Sequence, residues 1–260
     1  MPPSGFSVTS YSVPSFVCYS SIVRWGILKM SWEWGAVVVA AGRGTRMGAA
    51  DNKVYLELGG KTVLDYALDV FERCAAVSSI VLVVGEGETE RAATIVAAGG
   101  YGKVADVIVG GAERQDSVYA GLGALRTQGV LVHDAARPLV SPEQIAACCA
   151  AAEDHGASAL AVPVKDTIKV SDGQGFIVAT PERSTLWSVQ TPQAFGRLEL
   201  MQAHRQARED GAAATDDAML IERLGRKVAI VRGDYANLKI TTPEDLPIAE
   251  LLLDKWRRQS

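Results

Sequence analysis

The alternation of wholly apolar runs with amphipathic segments constrains the fold of this chain most. Ala36–Ala40 is apolar throughout, Val63–Cys74 has apolar residues at helical spacing, and Ile80–Val84 is again apolar throughout. Strands without polar alternation are covered on both faces, as in parallel sheets connected through helices. The pattern continues through predicted helices near Thr89–Ala98, Asp116–Leu125 and Pro142–Asp154 and predicted strands at Val104–Val109, Val130–Val132 and Ala159–Val164. The sequence therefore predicts an α/β fold with a doubly wound, mainly parallel sheet.

The alternation breaks between Asp166 and Thr191. Ile168–Val170 and Phe176–Val178 flank a polar run with two glycines, which is typical of a β-hairpin. We predict an arm outside the main sheet, over about residues 166–191. The remaining predicted elements are helices near Leu198–Glu209 and Asp217–Leu224, a strand at Val228–Val231, an extended piece at Leu238–Ile240 and a terminal helix with Thr242 as its N-cap.

Length and charge limit the architecture and the partners. The 260 residues are 48% hydrophobic and carry a formal net charge of −4, with a sequence pI near 5.5. One substantial core fits this length, so we expect residues 35–260 to form a single domain. The charge gives no general attraction to nucleic acid or to a membrane surface, so phosphate-binding cations must act locally. We expect a small-molecule partner, with neither nucleic acid nor membrane.

The cysteines and the first residues bear on location. The chain has four cysteines, none in a Cys-x-x-Cys pair: Cys18, Cys74, Cys148 and Cys149. This pattern is typical of a protein with reduced thiols, so we expect a cytoplasmic location. Residues 1–34 show no helical or strand period and no unbroken apolar run of a secretory signal. We expect them outside the core, as a disordered extension or because translation begins at Met30.

A glycine-rich turn follows the first strand and carries fixed positive charge. The run Ala40–Met47 has the pattern Gly-Arg-Gly-Thr-Arg, and Lys53 lies seven residues after Arg46. A dinucleotide fingerprint needs a third small residue where this chain has Met47, and an NTPase P-loop needs Lys-Ser/Thr after the glycine at 48. Backbone N–H groups and two cations nevertheless suit a polyphosphate. The turn predicts a nucleotide-triphosphate site in which Arg46 and Lys53 contact the phosphates.

Two further strand ends carry candidate site residues. Ser117 falls in the first turn of a helix after a double glycine, where its hydroxyl suits a base or a sugar, although serine is also common there without a ligand. Asp134 ends a buried strand, where a carboxylate suits Mg²⁺, and Arg137 suits an anionic substrate. We assign His133 to packing or a local hydrogen bond. Lys239 stands between two apolar residues on a short extended piece, which turns it away from them.

Taken together, these motifs resemble the 2-C-methyl-D-erythritol 4-phosphate cytidylyltransferases. The resemblance runs from about Gly35 to about Leu253. It rests on several spaced motifs in one order: Ala40-Ala41-Gly42-x-Gly44-x-Arg46-Met47, Gly110-Gly111-x-x-Arg114-x-x-Ser117, Val132-His133-Asp134-Ala135-Ala136-Arg137-Pro138, Thr191-Pro192-Gln193, Thr215-Asp216 and Lys239-Ile240-Thr241-x-Pro243-Glu244-Asp245. It implies a Rossmann-like fold of the nucleotide-diphospho-sugar transferase type.

The resemblance also implies an activity in the non-mevalonate isoprenoid pathway. The phosphate of methylerythritol 4-phosphate would attack the α-phosphorus of CTP in a Mg²⁺-dependent reaction, giving 4-diphosphocytidyl-2-C-methyl-D-erythritol and pyrophosphate. The catalytic residues it implies are Arg46, Lys53, Arg183 and Lys239. The nucleotide would contact Ala40, Ala41, Gly42, Arg43, Gly44, Lys53, Gly111, Ser117 and Ala135. The polyol phosphate would contact Asp134, Arg137, Thr167, Arg183, Thr191, Thr215 and Lys239, with Asp134 also as the metal ligand.

In this family the hairpin arm exchanges between subunits, which implies a homodimer in which Thr167 and Arg183 complete the partner's site. One position departs from the family pattern. Members usually carry Pro-Lys-Gln around the loop lysine, whereas this chain has Asn52-Lys53-Val54. The lysine is retained, but asparagine does not restrict the backbone as proline does, which leaves the rigidity of the loop open.

Three other hypotheses fit parts of the sequence. A cytidylyltransferase for another polyol phosphate, such as ribitol 5-phosphate, would share the glycine loop and the His133–Arg137 segment. A non-catalytic nucleotide-binding module is disfavoured by the retained cations Arg46, Lys53 and Lys239. A dinucleotide-dependent oxidoreductase is disfavoured by Met47.

Overall fold

A central seven-stranded sheet organises the chain in a computed structural model that describes residues 31–42 and 52–258. The strands are β1 (Trp34–Val39), β2 (Glu57–Leu58), β3 (Lys61–Thr62), β4 (Val77–Val84), β5 (Val104–Val109), β6 (Gly129–Asp134), β7 (Ala157–Pro163), β8 (Val170–Ser171), β9 (Ile177–Ala179), β10 (Trp187–Gly196) and β11 (Ala229–Arg232). The helices are α1 (Val63–Arg73), α2 (Thr89–Gly99), α3 (Arg114–Ala124), α4 (Pro142–His155), α5 (Arg197–Glu209), α6 (Asp217–Arg223) and α7 (Asp245–Arg257). Short 3-10 turns lie at Lys53–Tyr55 and Arg183–Thr185.

The sheet has the strand order β11-β7-β10-β6-β1-β4-β5. Strand β10 runs antiparallel to β6 and β7, and the other neighbouring strands pair in parallel. The chain moves from β1 outward to β4 and β5, then returns to place β6 on the other side of β1. The strand order therefore reverses between β1 and β6, which is the point where open α/β sheets bind ligands. The predicted doubly wound, mainly parallel sheet is confirmed.

Helices cover both faces of this sheet because the inner strands are apolar on both sides. On β1, Ala36 and Val38 pack in a core cluster with residues of α1, α2 and α4, whereas Val37 packs with residues of α3, α5 and α6. Phe71 of α1 and Phe195 of β10 are fully buried, one in each cluster. A third, smaller cluster joins α7 to the β2–β3 hairpin.

Strand β10 is the main element that the sequence analysis missed. The polar residues Thr191 and Gln193 suggested a break between apolar elements, but in the structure both side chains are buried within the sheet, as is Gln190. Gln193 shows why this is possible, since its Nε2 donates to Asp216 at 2.8 Å and its Oε1 accepts from the backbone of Ala218 at 3.0 Å. A buried polar group with its partners satisfied does not interrupt a strand. Because β10 begins at Trp187, residues 187–191 belong to the sheet, and the arm is shorter than predicted.

The two ends of the domain also differ from the predicted boundaries. We expected residues 1–34 outside the core, but Trp34 begins β1, is buried, and donates its indole N–H to Glu153 at 2.9 Å. Residues 1–30 lie outside the described residues. The last helix begins at Asp245 rather than after Thr242, because the Asp245 carboxylate accepts the backbone N–H of Thr241 at 2.7 Å and of Thr242 at 2.9 Å. The segment Leu238–Ile240 does not form the predicted extended strand. It is held against the turn after β6 by a hydrogen bond of 2.8 Å from Ile240 N to Ala136 O.

The predicted β-hairpin is present as the antiparallel pair of β8 and β9, which forms a sheet of its own. Its apolar side chains are exposed in the single chain, with Phe176 at 69%, Ile177 at 65% and Val178 at 61%. Within the described part of the chain, every helix is too short or too polar to cross a membrane.

Candidate active site

A cleft of about 1110 Å³ lies at the carboxyl edge of the sheet. It is lined by segments that follow four adjacent parallel strands: Ala40–Gly42 after β1, Gly85–Glu88 after β4, Gly110–Arg114 after β5, and the end of β6 with the following turn. Lys53 and Lys239 also line it. The cleft therefore occupies the switch point of the sheet, where the first glycine loop, Gly110-Gly111 and Asp134 meet.

Close backbone packing shapes the wall formed after β5. A Cβ on Gly110 would lie 2.5 Å from Ser117 Oγ and 2.8 Å from Ala41 Cβ, so only glycine fits between the first loop and α3. Ser117 is buried; its Oγ accepts the Gly111 N–H and donates to the carbonyl of Glu113, both at 3.2 Å. The Ser117 hydroxyl therefore holds the backbone of the glycine turn, and Ser117 is also one of the residues that line the cleft.

Asp134 brings two cations together at the end of β6. Its Oδ1 accepts from Arg114 Nε at 3.0 Å, and its Oδ2 accepts from Lys239 Nζ at 2.6 Å. Burial alone would raise the pKa of Asp134, but Arg114 and then Lys239 outweigh it and hold this pKa well below its usual range. The carboxylate is therefore ionised, and it fixes the position of the Lys239 ammonium on the cleft wall.

Arg114 connects Asp134 to a second, buried carboxylate, that of Asp217. The sequence analysis did not name Arg114 as a site residue. Its Nη1 donates to Asp217 Oδ2 at 2.8 Å, and Asp217 Oδ1 lies 3.1 Å from His204 Nε2. Asp217 and His204 are both buried. Burial would raise the pKa of Asp217, but Arg114 and His204 lower it overall. A continuous chain of polar and charged groups thus runs from Lys239 at the cleft to α5 and α6.

His133 and Thr191 hold the strand end that carries Asp134. The Thr191 hydroxyl accepts the Asp134 N–H at 3.0 Å and lies 3.2 Å from His133 Nδ1, while His133 Nε2 lies 3.1 Å from the carbonyl of Arg137. Burial lowers the pKa of His133 to about 4, so the ring is neutral at pH 7. The assignment of His133 to packing and local hydrogen bonding agrees with these contacts, and Thr191 acts here on the backbone of the site.

Apart from Ala135, Arg137 and Thr191, the predicted site residues fall into three groups. The cleft of the single chain brings together Ala40, Ala41, Gly42, Lys53, Gly111, Ser117, Asp134 and Lys239. Thr167, Arg183 and Thr215 are exposed and lie off the cleft wall, with the first two on the arm. The remaining loop residues Arg43, Gly44 and Arg46 lie outside the described residues.

Ala135 and Arg137 lie just behind the cleft wall. Ala135 is fully buried and its N–H is bonded to the Val39 carbonyl at 2.9 Å, so its neighbour Ala136 lines the cleft in its place. Arg137 donates from Nη1 to the Asn237 carbonyl at 2.8 Å, and its Nε is buried without a hydrogen-bond partner among the described residues. Arg137 therefore retains one unused donor beside Asp134.

The Asp134 carboxylate can serve as a single protein ligand to a hard cation such as Mg²⁺. Among the residues that the structure describes, no cluster of three or more His, Cys, Asp or Glu groups is arranged to hold a metal ion. Mg²⁺ often takes one or two protein carboxylates and completes its shell with phosphates and water. A carboxylate has about four lone-pair positions, and Asp134 uses its two oxygens once each for Arg114 and Lys239.

Nucleotidyl transfer depends mainly on positioning and charge neutralisation, and a switch-point cleft lined by two lysines and an ionised aspartate supplies both. The fold and the cleft together define a nucleotidyltransferase of the α/β class. Within that class, the sequence profile of IspD, 2-C-methyl-D-erythritol 4-phosphate cytidylyltransferase, matches residues 35–255. The chain belongs to this family.

Relatives and solved structures agree with this assignment. The chain is 54% identical over 221 residues to the 2-C-methyl-D-erythritol 4-phosphate cytidylyltransferase of Pelotomaculum thermopropionicum, covering 84% of this chain and 93% of the relative. It is 49% identical to the enzyme of that name from Geobacillus kaustophilus, covering 86% and 97%. The crystal structure of 4-diphosphocytidyl-2C-methyl-D-erythritol synthase from Anaerococcus prevotii is similar with a TM-score of 0.76 at 32% identity, covering 85% of this chain and 96% of that one.

Proposed function

We propose that this chain transfers CMP from CTP to 2-C-methyl-D-erythritol 4-phosphate, giving 4-diphosphocytidyl-2-C-methyl-D-erythritol and pyrophosphate. The observation that carries the proposal is that Lys53 and Lys239 line one cleft with glycine-rich backbone at the switch point of the sheet. Membership of the cytidylyltransferase family supports the same substrates.

The chemistry is a substitution at phosphorus. A phosphate oxygen of the polyol phosphate forms a bond to the α-phosphorus of CTP, the bond from that phosphorus to the bridging β-phosphate oxygen breaks, and pyrophosphate leaves with the electron pair. Lys53 and Arg46 stabilise the charge on the α-phosphate in the transition state. Lys239 orients the attacking phosphate, held in place by its 2.6 Å contact with Asp134. Arg137, three residues after Asp134, is the further cation that we assign to the same anionic substrate.

The metal in this proposal is Mg²⁺, with Asp134 as its protein ligand and the CTP phosphates as its other main ligands. When bound, the ion neutralises phosphate charge. Arg114 and Lys239 would hold the Asp134 carboxylate ionised and in position to serve as that ligand.

The dimer is also part of the proposal. Thr167 and Arg183 are exposed on the arm and do not line the cleft of their own chain, while the arm carries exposed Phe176, Ile177 and Val178. Covering these side chains by a second copy would remove an apolar patch from water and deliver Arg183 to the partner's site. Thr215, exposed before α6, contributes a hydrogen bond to the polyol phosphate. We place the enzyme in the cytoplasm, since Cys74, Cys148 and Cys149 are buried free thiols.

Release of pyrophosphate tests the function. The assay combines CTP, UTP or ATP with methylerythritol 4-phosphate or ribitol 5-phosphate in the presence of Mg²⁺. Of these combinations, we expect only CTP with methylerythritol 4-phosphate to give activity. Lys53→Ala and Arg46→Ala each lower kcat by about 100-fold or more, as for loss of one preorganised charge donor. Lys227→Ala, which removes an exposed lysine away from the cleft, serves as the control. Turnover of ribitol 5-phosphate at an equal rate, or near-normal turnover by both loop variants, would refute the proposal.

A further inference from the structure

We propose that the Asn52 side chain and the Glu88 carboxylate form a latch that ties the two ends of the nucleotide loop together and positions Lys53 in the cleft. Asn52 and Glu88 are positioning residues, since they act on the reaction through the placement of Lys53. The inference rests on the proposed function, since Lys53 is assigned there to the α-phosphate of CTP.

The Asn52 side chain joins three segments at once. Its Nδ2 donates to the carbonyl of Ala40, the residue after β1, at 2.8 Å, and to both carboxylate oxygens of Glu88 at 3.1 Å. Its Oδ1 accepts the N–H of Val54 at 3.4 Å. An amide has two N–H donors, so the Ala40 and Glu88 contacts use its full donor capacity. The bond to Ala40 directly connects the two ends of the segment 41–51.

Glu88 is itself held in place by the segment that follows β4. Its Oε2 accepts the N–H of Gly85 at 2.8 Å, and the hydroxyl of Tyr55 lies 3.5 Å away. A Cβ on Gly85 would lie 2.9 Å from Glu88 Oε2, so a glycine is needed for this close approach. The carboxylate therefore presents a fixed acceptor to Asn52, because its orientation is set by its own loop.

Lys53 is placed by its direct connection to this latch. Asn52 begins the 3-10 turn Lys53–Tyr55, in which Tyr55 N donates to Asn52 O at 3.0 Å and Leu56 N donates to Lys53 O at 3.2 Å. Lys53 is only 8% exposed yet lines the cleft, and its neighbours Val54 and Tyr55 belong to the core. Because Asn52 precedes Lys53 directly and caps the turn, the contacts of Asn52 fix the point from which the Lys53 side chain enters the cleft.

The polarity of the latch provides a sharp test. Asn52→Asp has the same shape, but it turns a donor toward Ala40 O and Glu88 into an acceptor and places two carboxylates in contact. Glu88→Gln in that background supplies a new N–H donor to the introduced carboxylate, while the glutamine Oε1 still accepts from Gly85. Glu90→Gln is the matched control, because Glu90 is an exposed carboxylate two residues away on α2.

Kinetics measure the positioning role. We expect Asn52→Asp to lower kcat for pyrophosphate release by about 10- to 100-fold, the range for lost hydrogen bonds to a charged group, with a smaller change in KM for CTP. The double variant Asn52→Asp/Glu88→Gln recovers part of this loss, and Glu90→Gln retains normal kcat. In a Lys53→Ala background, Asn52→Asp has an additional effect of less than about twofold, because residues that act as a unit are not additive. An undiminished effect in that background would overturn the proposal.

Amide hydrogen exchange measures the latch without any substrate. Exchange at Tyr55 and Leu56, whose N–H groups form the backbone bonds of the turn, becomes faster in Asn52→Asp, is slowed again in the double variant and is unchanged in Glu90→Gln. Unchanged exchange in Asn52→Asp shows that there is no latch. If Asn52→Asp does not fold, Asn52→Ala, Glu88→Ala and the double alanine variant replace it. A latch predicts that the double variant lowers kcat no more than the more severe single variant does. Losses of kcat that multiply in the double variant would contradict the latch. If the unmodified chain releases no pyrophosphate, the proposed function fails, and the latch is then judged by exchange alone.

Discussion

The buried contact between Arg114 and Asp217 should make Asp217→Asn strongly destabilising. Asp217 is buried, and it accepts from Arg114 at 2.8 Å while lying 3.1 Å from His204. The asparagine has nearly the same volume, so packing is preserved and the change removes the negative charge. Arg114 then keeps a single carboxylate partner, Asp134, at 3.0 Å.

The size of the effect follows from the burial of the two partners. Removing one member of a buried ion pair costs about 3–5 kcal/mol, because the other charge is left uncompensated. The Arg114 side chain is 28% exposed, so water partly hydrates the guanidinium, and we place the loss at about 3 kcal/mol, near the lower end of that range. For a domain of this size, that corresponds to a decrease in Tm of about 6–12 °C.

Urea unfolding at pH 7, followed by circular dichroism, measures this loss as a change in the free energy of unfolding. The matched control is Asp210→Asn, since Asp210 pairs with Arg223 at 3.1 Å with both side chains more than 40% exposed. We expect the control to change the free energy of unfolding by less than about 1 kcal/mol. Equal effects of the two variants would contradict the view that the Asp217 contact is a buried ion pair on which Arg114 depends.

Three further predictions concern groups elsewhere in the fold. His133, whose pKa is lowered by burial to about 4, should titrate near pH 4 in NMR spectra rather than near 6.5. Because the folded pKa lies below the unfolded pKa, the contribution of the neutral ring to the free energy of unfolding is complete above about pH 6.5. That contribution is lost as the pH falls toward 4, a decrease of about 3 kcal/mol. Cys148, whose pKa is raised by burial to about 12, should react with a thiol reagent at pH 8 only upon unfolding, and modification of the native protein at the rate of a free thiol would show that it is accessible. Phe176→Asp should shift the molecular mass in light scattering from dimer to monomer and lower kcat, whereas a monomeric wild-type protein would exclude dimerisation through the arm.

Hydrophobic pattern accounts for most of what the sequence predicted correctly. The buried strands β1, β4 and β6 are apolar on both faces, and their order of alternation with helices limits the sheet to a doubly wound form. Glycine and charge patterns then placed the first glycine loop and Asp134 at one edge, because the carboxyl ends of parallel strands meet there. Lys239 was assigned to the same site through the family resemblance, and it lines the cleft.

The features that were missed depend on contacts between residues far apart in the chain. Strand β10 carries polar side chains whose partners, such as Asp216 and Ala218, cannot be inferred from local periodicity. Arg114 and Asp217 are 103 positions apart and meet only after α3 and α6 pack on the same face. The spacing of Arg114 three residues before Ser117 was the one available signal, since it places the arginine at the first turn of α3, directed toward the cleft edge.

A crystal structure with CTP and Mg²⁺ bound is the most direct test of the account, because the central claim is that separate cations meet at one polyphosphate. We predict that the triphosphate lies in the cleft at the end of β1, with Lys53 Nζ within about 3 Å of a phosphate oxygen. Lys239 should remain beside Asp134, on the side of the α-phosphate from which the phosphate of the polyol attacks. Phosphates bound outside this cleft, or a Lys53 ammonium pointing away from them, would contradict the account.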